Sequence, residues 1–331
     1  MKKVVALICC AVFLILAAGA SFAAEKTWKL AHIRPEGTAI DISLKEFASQ
    51  VKEKTAGRIN IEIYPASQLG DYTTVQERVS IGDVEMQCGP LSPAVVRAIG
   101  LNSLPYIVIN YEEAEKAYGP DGVIVQKMNE YMAKQDLHVL GSWPVYFGGI
   151  VLTKEPPAPG DISVPKNIKI RVPPIRSFEL SATALGYQAT PIPWADAFTA
   201  MQTGIVEGAI GGGAEGYYAN FRDLAKYYLP LNDHFESWFL YINNDVWKGI
   251  SEEDRKSVTA AARAIQEARW KVVEADEKTN TQRLADLGVK IIDFTDAELE
   301  EMRRKHAEEV WPQLYNEIPE ADIKAVLDSL K

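Results

Sequence analysis

Cysteine is nearly missing from this chain: of 331 residues only Cys9, Cys10 and Cys88 carry a thiol. Cys9 and Cys10 lie in an N-terminal apolar run, so a chain trimmed of that run keeps one thiol and can form no internal disulfide. Its fold must then rest on a packed core, even in an oxidising compartment. Cys88 sits in Val84-Glu-Met-Gln-Cys-Gly89, an apolar strand pattern, and reads as a packed side chain rather than a nucleophile. Histidine is equally scarce, and His32, His138, His234 and His306 show no metal-ligand spacing. There is no G-x-S-x-G, no Walker loop, no H-E-x-x-H and no EF-hand spacing, and Gly211-Gly212-Gly213 is not a dinucleotide fingerprint. Nothing argues for catalysis or for a cofactor. Positive charge is also short, with 35 Lys and Arg against 45 Asp and Glu for a net charge of −10. Such an acidic body argues against nucleic acid and anionic membrane as partners. An anionic ligand would have to be drawn by a local site.

What is present begins with a targeting pattern. Met1-Lys2-Lys3, the apolar run Val4–Gly19 and Ser21-Phe22-Ala23 read as a secretory signal peptide over residues 1–23, with cleavage after Ala23 and Ala24 as the next choice. The run is too short to favour a permanent membrane span. No small residue stands just before Cys9 or Cys10 as a lipid-anchor site requires, so a lipoprotein is not favoured. Losing Lys2 and Lys3 takes the net charge from −10 to −12.

The rest alternates strand and helix patterns. Thr27–Ile33 reads as a first strand and Thr38 with Asp41 as a capping signal for a helix carrying Leu44, Phe47 and Val51 on one face. Ile59, Ile61 and Ile63 mark a second strand, Asp71–Ile81 a helix and Val84–Cys88 a third strand. This β-α-β-α-β order implies a parallel sheet with right-handed crossovers. Helical patterns cover Glu112–Tyr118 and Val123–Lys134, and Leu137–Trp143 is a strand. The proline-rich stretch Glu155–Gly160 marks a turn near a crossing into a second domain, whose sheet would use Lys169–Val172, Tyr187–Thr190 and Ile205–Ile210. Phe235–Asn243 reads as a strand returning to the first domain. Ser251 to Asp254 reads as a capping box opening one helical pattern to about Leu287, which at 1.5 Å per residue would be about 54 Å long and span both domains. Val289–Phe294 reads as a last strand, and Thr295 with Glu298 caps another helix.

Ile168–Gly213 organises the chain. In Lys169-Ile170-Arg171-Val172 the alternation turns Arg171 to the face opposite Ile170 and Val172, and Pro173-Pro174 ends the strand. An arginine at a strand end beside a rigid turn can offer its planar fork to a carboxylate; it can equally be a solvated charge. Trp194, after Pro193 at a helix start, reads either as a core tryptophan or as the wall of a site. His32, Arg34 and Glu36 stand past the end of the first strand, and Pro90 and Leu91 past the third, where open α/β sheets place ligands. Glu215 and Glu236 are either ordinary charges or acceptors for a ligand hydroxyl or amine.

The stretch Lys169-Ile-Arg171-Val-Pro, then Leu185-Gly, then Pro193-Trp194-Ala-Asp-Ala-Phe-Thr-Ala-Met-Gln-Thr-Gly-Ile-Val-Glu-Gly208 resembles the solute-binding proteins of tripartite ATP-independent periplasmic (TRAP) transporters, the DctP family. Phe47–Ile59 and Tyr64–Asp71 are similar to it as well, so the resemblance covers nearly all of the mature chain. It implies a two-lobed α/β periplasmic-binding-protein-like fold, each lobe a sheet flanked by helices, with a long helix linking the lobes. Residues 24–149 and 237–275 would form lobe I, and residues 150–236 and 276–331 lobe II. The resemblance further implies a salt bridge from Arg171 to a ligand carboxylate and an aromatic wall at Trp194. It implies a periplasmic protein that closes on a small organic acid and delivers it to the integral-membrane permease subunits of the transporter. The chain departs from the family where Gly211 replaces a frequent asparagine, and where Ile150 and Val151 stand near a second arginine of many relatives. With Tyr146, Phe147, Trp194, Tyr217 and Trp238 placed nearby by motif position, a monocarboxylate with an apolar or aromatic body is the expected ligand. The expected binding set is Arg171, Trp194, Gly211, His32, Arg34, Pro90, Phe147, Trp238 and Glu236, with no metal. The same scaffold could serve as the sensing input of a signalling receptor, and a secreted α/β enzyme is the alternative from another class.

Overall fold

The computed structural model describes residues 26–331; the signal-peptide reading lies outside them. Two sheets with helices around them make up the molecule. The first begins with β1 (Lys26–Ala31) and β2 (Ile59–Tyr64), parallel from Lys26 opposite Ile59 to Ala31 opposite Tyr64. Between them runs α1 (Ala39–Lys54), which buries Leu44, Phe47 and Val51 on one face. Helix α2 (Tyr72–Ser80), capped by Asp71 accepting from the Thr73 N–H, leads into β3 (Met86–Gly89), parallel to β1 on its other side. The β-α-β-α-β reading thus holds. Helices α3 (Tyr111–Tyr118) and α4 (Val123–Ala133) follow, then β4 (Leu137–Phe147).

The chain crosses to the second sheet at Gly148, entering β5 (Gly149–Leu152). There β6 (Lys169–Val172), α5 (Arg176–Ala184), β7 (Gln188–Pro191), α6 (Trp194–Gln202), β8 (Gly208–Gly212), α7 (Ala214–Phe221) and β9 (Tyr227–Leu229) are laid down in turn. It returns through residues 230–234 into β10 (Phe235–Asn243), antiparallel to both β3 and β4. The strand orders are β2-β1-β3-β10-β4 and, counting the late β11 (Lys290–Ile291), β11-β9-β5-β8-β6-β7. The two crossings lie side by side: the Gly148 N–H donates to the His234 carbonyl at 2.8 Å. A Cβ on Gly148 would sit 2.1 Å from the His234 ring, so only glycine lets the segments touch.

The expected single long helix is two. After the short α8 (Asn244–Lys248), α9 (Glu252–Trp270) stops and α10 (Val273–Asp286) restarts, with Val272 at φ −125°, ψ −13°. Val272 and Val273 place two β-branched residues together at the break, and an Arg269–Asp276 ion pair at 2.6 Å bridges it. The pair still spans both sheets, because α9 packs on α1 and β4 while α10 packs on α7. Two further differences concern ends. The strand expected from Ile205 starts at Gly208, leaving Ile205 exposed. After α11 (Asp296–Lys305), opened by the expected Thr295–Glu298 capping box, the final helix α12 (Glu320–Leu330) packs on α3 and α4 beside the first sheet, although residues 276–331 were expected to go with the second. One apolar cluster joins Trp28, Leu44 and Phe47 of the first lobe to Trp194, Tyr217 and Tyr228 of the second, so the lobes share a core.

Candidate functional site

Where the strand ends of the two sheets face each other they line a cavity that opens in part to solvent, with about 470 Å³ of space not filled by atoms when the open part is included. The first lobe supplies Arg34 after β1, Tyr72 at the start of α2, Pro90 and Leu91 after β3, Asn102 and Ser103 from the 3-10 turn Arg97–Ser103, and Glu236 and Trp238 from β10. The second supplies Arg171 at the end of β6, Pro173, Ile175 and Phe178 leading into α5, Trp194 at the start of α6, and Gly211 on β8. This is where open α/β sheets bind ligands, beyond the carboxyl ends of their strands.

Arg171 is 1% exposed, so the solvated-charge reading fails. Its Nε donates to the Ile192 carbonyl at 2.7 Å and its Nη1 to the Ile210 carbonyl at 3.2 Å. Among the described residues no carboxylate pairs with it, and its Nη2 makes no hydrogen bond. Burial pulls its proton affinity below the ordinary arginine value. A guanidinium keeps its proton regardless, so the cost of burial stands until an anion arrives.

Arg34, also 1% exposed, already has a counter-charge. Its Nε donates to Glu215 Oε2 at 2.9 Å and its Nη2 to the Tyr146 hydroxyl at 2.8 Å. The ring of Trp194 lies 4.7 Å from its charge and that of Trp238 5.0 Å. Burial works against its charge, but Tyr146 and Glu215 outweigh burial and raise its proton affinity. Among the described residues two arginines therefore line the cavity, and only one of them lacks a counter-charge.

Trp194 packs edge-on against Phe221 at 5.3 Å and also lines the cavity, standing against the two guanidinium groups, 5.3 Å from that of Arg171. Gly211 has φ +88°, and a Cβ there would meet Pro173 Cγ at 2.6 Å. No side chain fits, which explains glycine at this position. Glu236 accepts from Trp238 Nε1 at 2.6 Å. Behind it His234 lies with Nδ1 2.7 Å from Asp233 Oδ2 and Nε2 3.3 Å from Glu236 Oε2. Burial alone would lower the His234 pKa, but Asp233 and Glu236 push it up to about 10, favouring the charged ring.

Two expected residues lie elsewhere. His32 turns back against Asp41, its Nε2 3.3 Å from Oδ1, and burial drives its pKa down to about 4 despite that carboxylate. Phe147 packs edge-on against Tyr111 and Phe235 at 5.1 and 5.0 Å. The pleat is the reason: Tyr146 takes the cavity face of β4, so its neighbour Phe147 takes the other. Glu36 is exposed with Lys45, and Tyr217 holds the backbone carbonyls of Gly149 and Ala209 at 2.7 and 2.9 Å. Tyr72, Asn102, Ser103, Ile175 and Phe178 were not foreseen. Tyr72 and Phe178 sit on helices whose patterns show only an apolar face, and the segment around Asn102 carries no periodic signal.

Two α/β lobes facing each other across a cavity, in which among the described residues one arginine lacks a counter-charge, form the architecture of a solute-binding protein. The chain belongs to the bacterial extracellular solute-binding protein, family 7 (DctP), whose model matches residues 30–318. It is 29% identical over 259 residues to a solute-binding protein of Roseobacter denitrificans, covering 76% of this chain and 77% of that one. It is 25% identical over 272 residues to the sialic acid-binding periplasmic protein SiaP of Vibrio cholerae, covering 80% and 82%. Its fold is similar to that of the sugar acid binding protein DctPAm of Advenella mimigardefordensis, solved in complex with galactonate. The TM-score is 0.85 and the identity 19%, over 93% of this chain and 98% of that one. The family comprises substrate-binding proteins of TRAP transporters rather than enzymes, as the sequence motifs implied.

Proposed function

We propose that this protein is exported to the periplasm by its N-terminal signal peptide. There it captures a monocarboxylate with an apolar or aromatic body and hands it to the integral-membrane permease of a TRAP transporter. The observation that supports this most is the asymmetry of the two cavity arginines. Arg171 is buried without a carboxylate partner, while Arg34 is neutralised by Glu215. One carboxylate would answer the charge of Arg171. A second would face the Glu236 carboxylate and find no free cation. Tyr72, Phe178, Trp194 and Trp238 offer apolar and aromatic surface for the rest of the ligand. Ligand contacts drawn from both lobes would offset the cost of closing the hinge.

The test is a thermal-shift screen of the chain lacking residues 1–23, unfolded and refolded to strip any ligand, against aliphatic, aromatic, sugar and dicarboxylic acids, each beside its amide. A ligand at a hundred times its dissociation constant stabilises by about 2.7 kcal/mol, a shift of a few degrees. Monocarboxylates should raise the midpoint and their amides should not. A shift from dicarboxylates alone, or from amides as strongly as acids, would defeat the proposal.

A further inference from the structure

The wall of the cavity opposite Arg171 in kind is built to accept. Asn102 is 6% exposed, and its Nδ2 donates to the Ser237 carbonyl at 3.4 Å, which fixes the amide so that Oδ1 is the atom left over. That oxygen is buried and has no hydrogen-bond partner. The backbone of Asn102 is held in turn by the Tyr118 hydroxyl, which donates to its carbonyl at 2.8 Å. Ser237 follows Glu236 in β10, and both Asn102 and Glu236 line the cavity. Glu236 is 8% exposed; Trp238 Nε1 occupies Oε1, and His234 stands beside Oε2 between Glu236 and Asp233. Asp233, His234 and Glu236 together carry an excess negative charge, whereas Arg34 and Glu215 cancel. Among the described residues the cavity thus presents one positive group without a counter-charge, Arg171, and two acceptors, Asn102 Oδ1 and the Glu236 carboxylate. Neither acceptor is paired with Arg171.

We propose that the ligand is a zwitterion: its carboxylate lies on Arg171 and its protonated amine is held by Glu236 and Asn102 Oδ1. This rests on the reading of Arg171 as the carboxylate anchor. An ammonium supplies three donors and a full charge, so it can satisfy the amide oxygen and the carboxylate at once. A hydroxyl supplies one donor and leaves the charge unanswered. Leaving a buried acceptor unmet is costly, and a simple carboxylate would do so. Glu236 and Asn102 become the residues that select an amino acid over the corresponding plain or hydroxy acid.

The experiment is calorimetric titration of the refolded chain with matched sets: phenylalanine, 3-phenyllactate and 3-phenylpropanoate, and leucine, 2-hydroxy-4-methylpentanoate and 4-methylpentanoate. In at least one set the amino acid should bind at least tenfold tighter than both partners. Glu236→Gln should abolish that preference, and Asn102→Leu should reduce it. If plain and hydroxy acids bind as well as or better than the amino acids, the zwitterion proposal is overturned and the carboxylate reading stands. If Glu236→Gln binds acids but keeps the preference, the assignment to Glu236 is likewise overturned. Binding of none of the six by the folded wild-type chain would reject the proposal and the aromatic or apolar monocarboxylate reading with it.

Discussion

At the scale of single residues, the site turns on which charges are already answered. The sequence made Arg171 a candidate because strand alternation and the following prolines hold it rigidly, and the structure removes the competing reading by burying it. Arg34 was legible as a residue past a strand end, but its neutralisation was not. Its partners Glu215 and Tyr146 lie 181 and 112 positions away, and no local pattern reports such contacts. His32 shows the same limit, since position suggested the cavity and a hydrogen bond to Asp41 decides otherwise. Its buried ring has a pKa lowered from 6.5 to about 4. The unfolded chain therefore takes up a proton there that the native state refuses. The contribution of His32 is complete above about pH 6.5 and lost as pH falls toward 4, by up to roughly 3 kcal/mol at about 1.4 kcal/mol per unit. Urea titrations between pH 7 and 4 should show stability falling more steeply for wild type than for His32→Asn. Parallel slopes would mean that His32 is not the group responsible.

At the scale of elements, patterns of period 2 and 3.6 located most strands and helices, because each buries one face, but not the short β5, β9 and α8 or the final α12. They missed the break in the long helix, where the apolar stripe continues through Lys271-Val272 although the backbone does not. They also missed the docking of α12, which depends on contacts such as Tyr131 with Asp322 far along the chain. The turn at the end of β8 was visible only as three glycines. Its requirement is conformational at Gly211, with φ +88° and Pro173 packed where a Cβ would stand. Gly211→Ala should cost about 1–3 kcal/mol from the strained backbone, with further loss from displacement of Pro173. Chemical denaturation would measure it, and an unchanged midpoint would show that the turn relaxes without penalty.

At the scale of the whole molecule, closure brings together groups from opposite lobes. The Arg34–Glu215 pair joins the end of β1 to the start of α7 across the cleft and also sets the charge of the cavity. Glu215→Gln should weaken closure and free a second cation, since breaking a buried pair by removing one partner costs about 3–5 kcal/mol. The variant should lose affinity for its monocarboxylate and gain, relative to it, for a dicarboxylate such as succinate; calorimetry with both would show the ratio move at least tenfold. An unmoved ratio would mean that Arg34 does not reach the ligand. The central claim, that one carboxylate completes Arg171, has a more direct test: titrating Arg171→Met with the best acid from the thermal-shift screen. The account predicts a folded protein with the wild-type circular dichroism spectrum and affinity reduced at least a hundredfold. Unchanged affinity in a folded variant would contradict it and move the anchor to another group in the cavity.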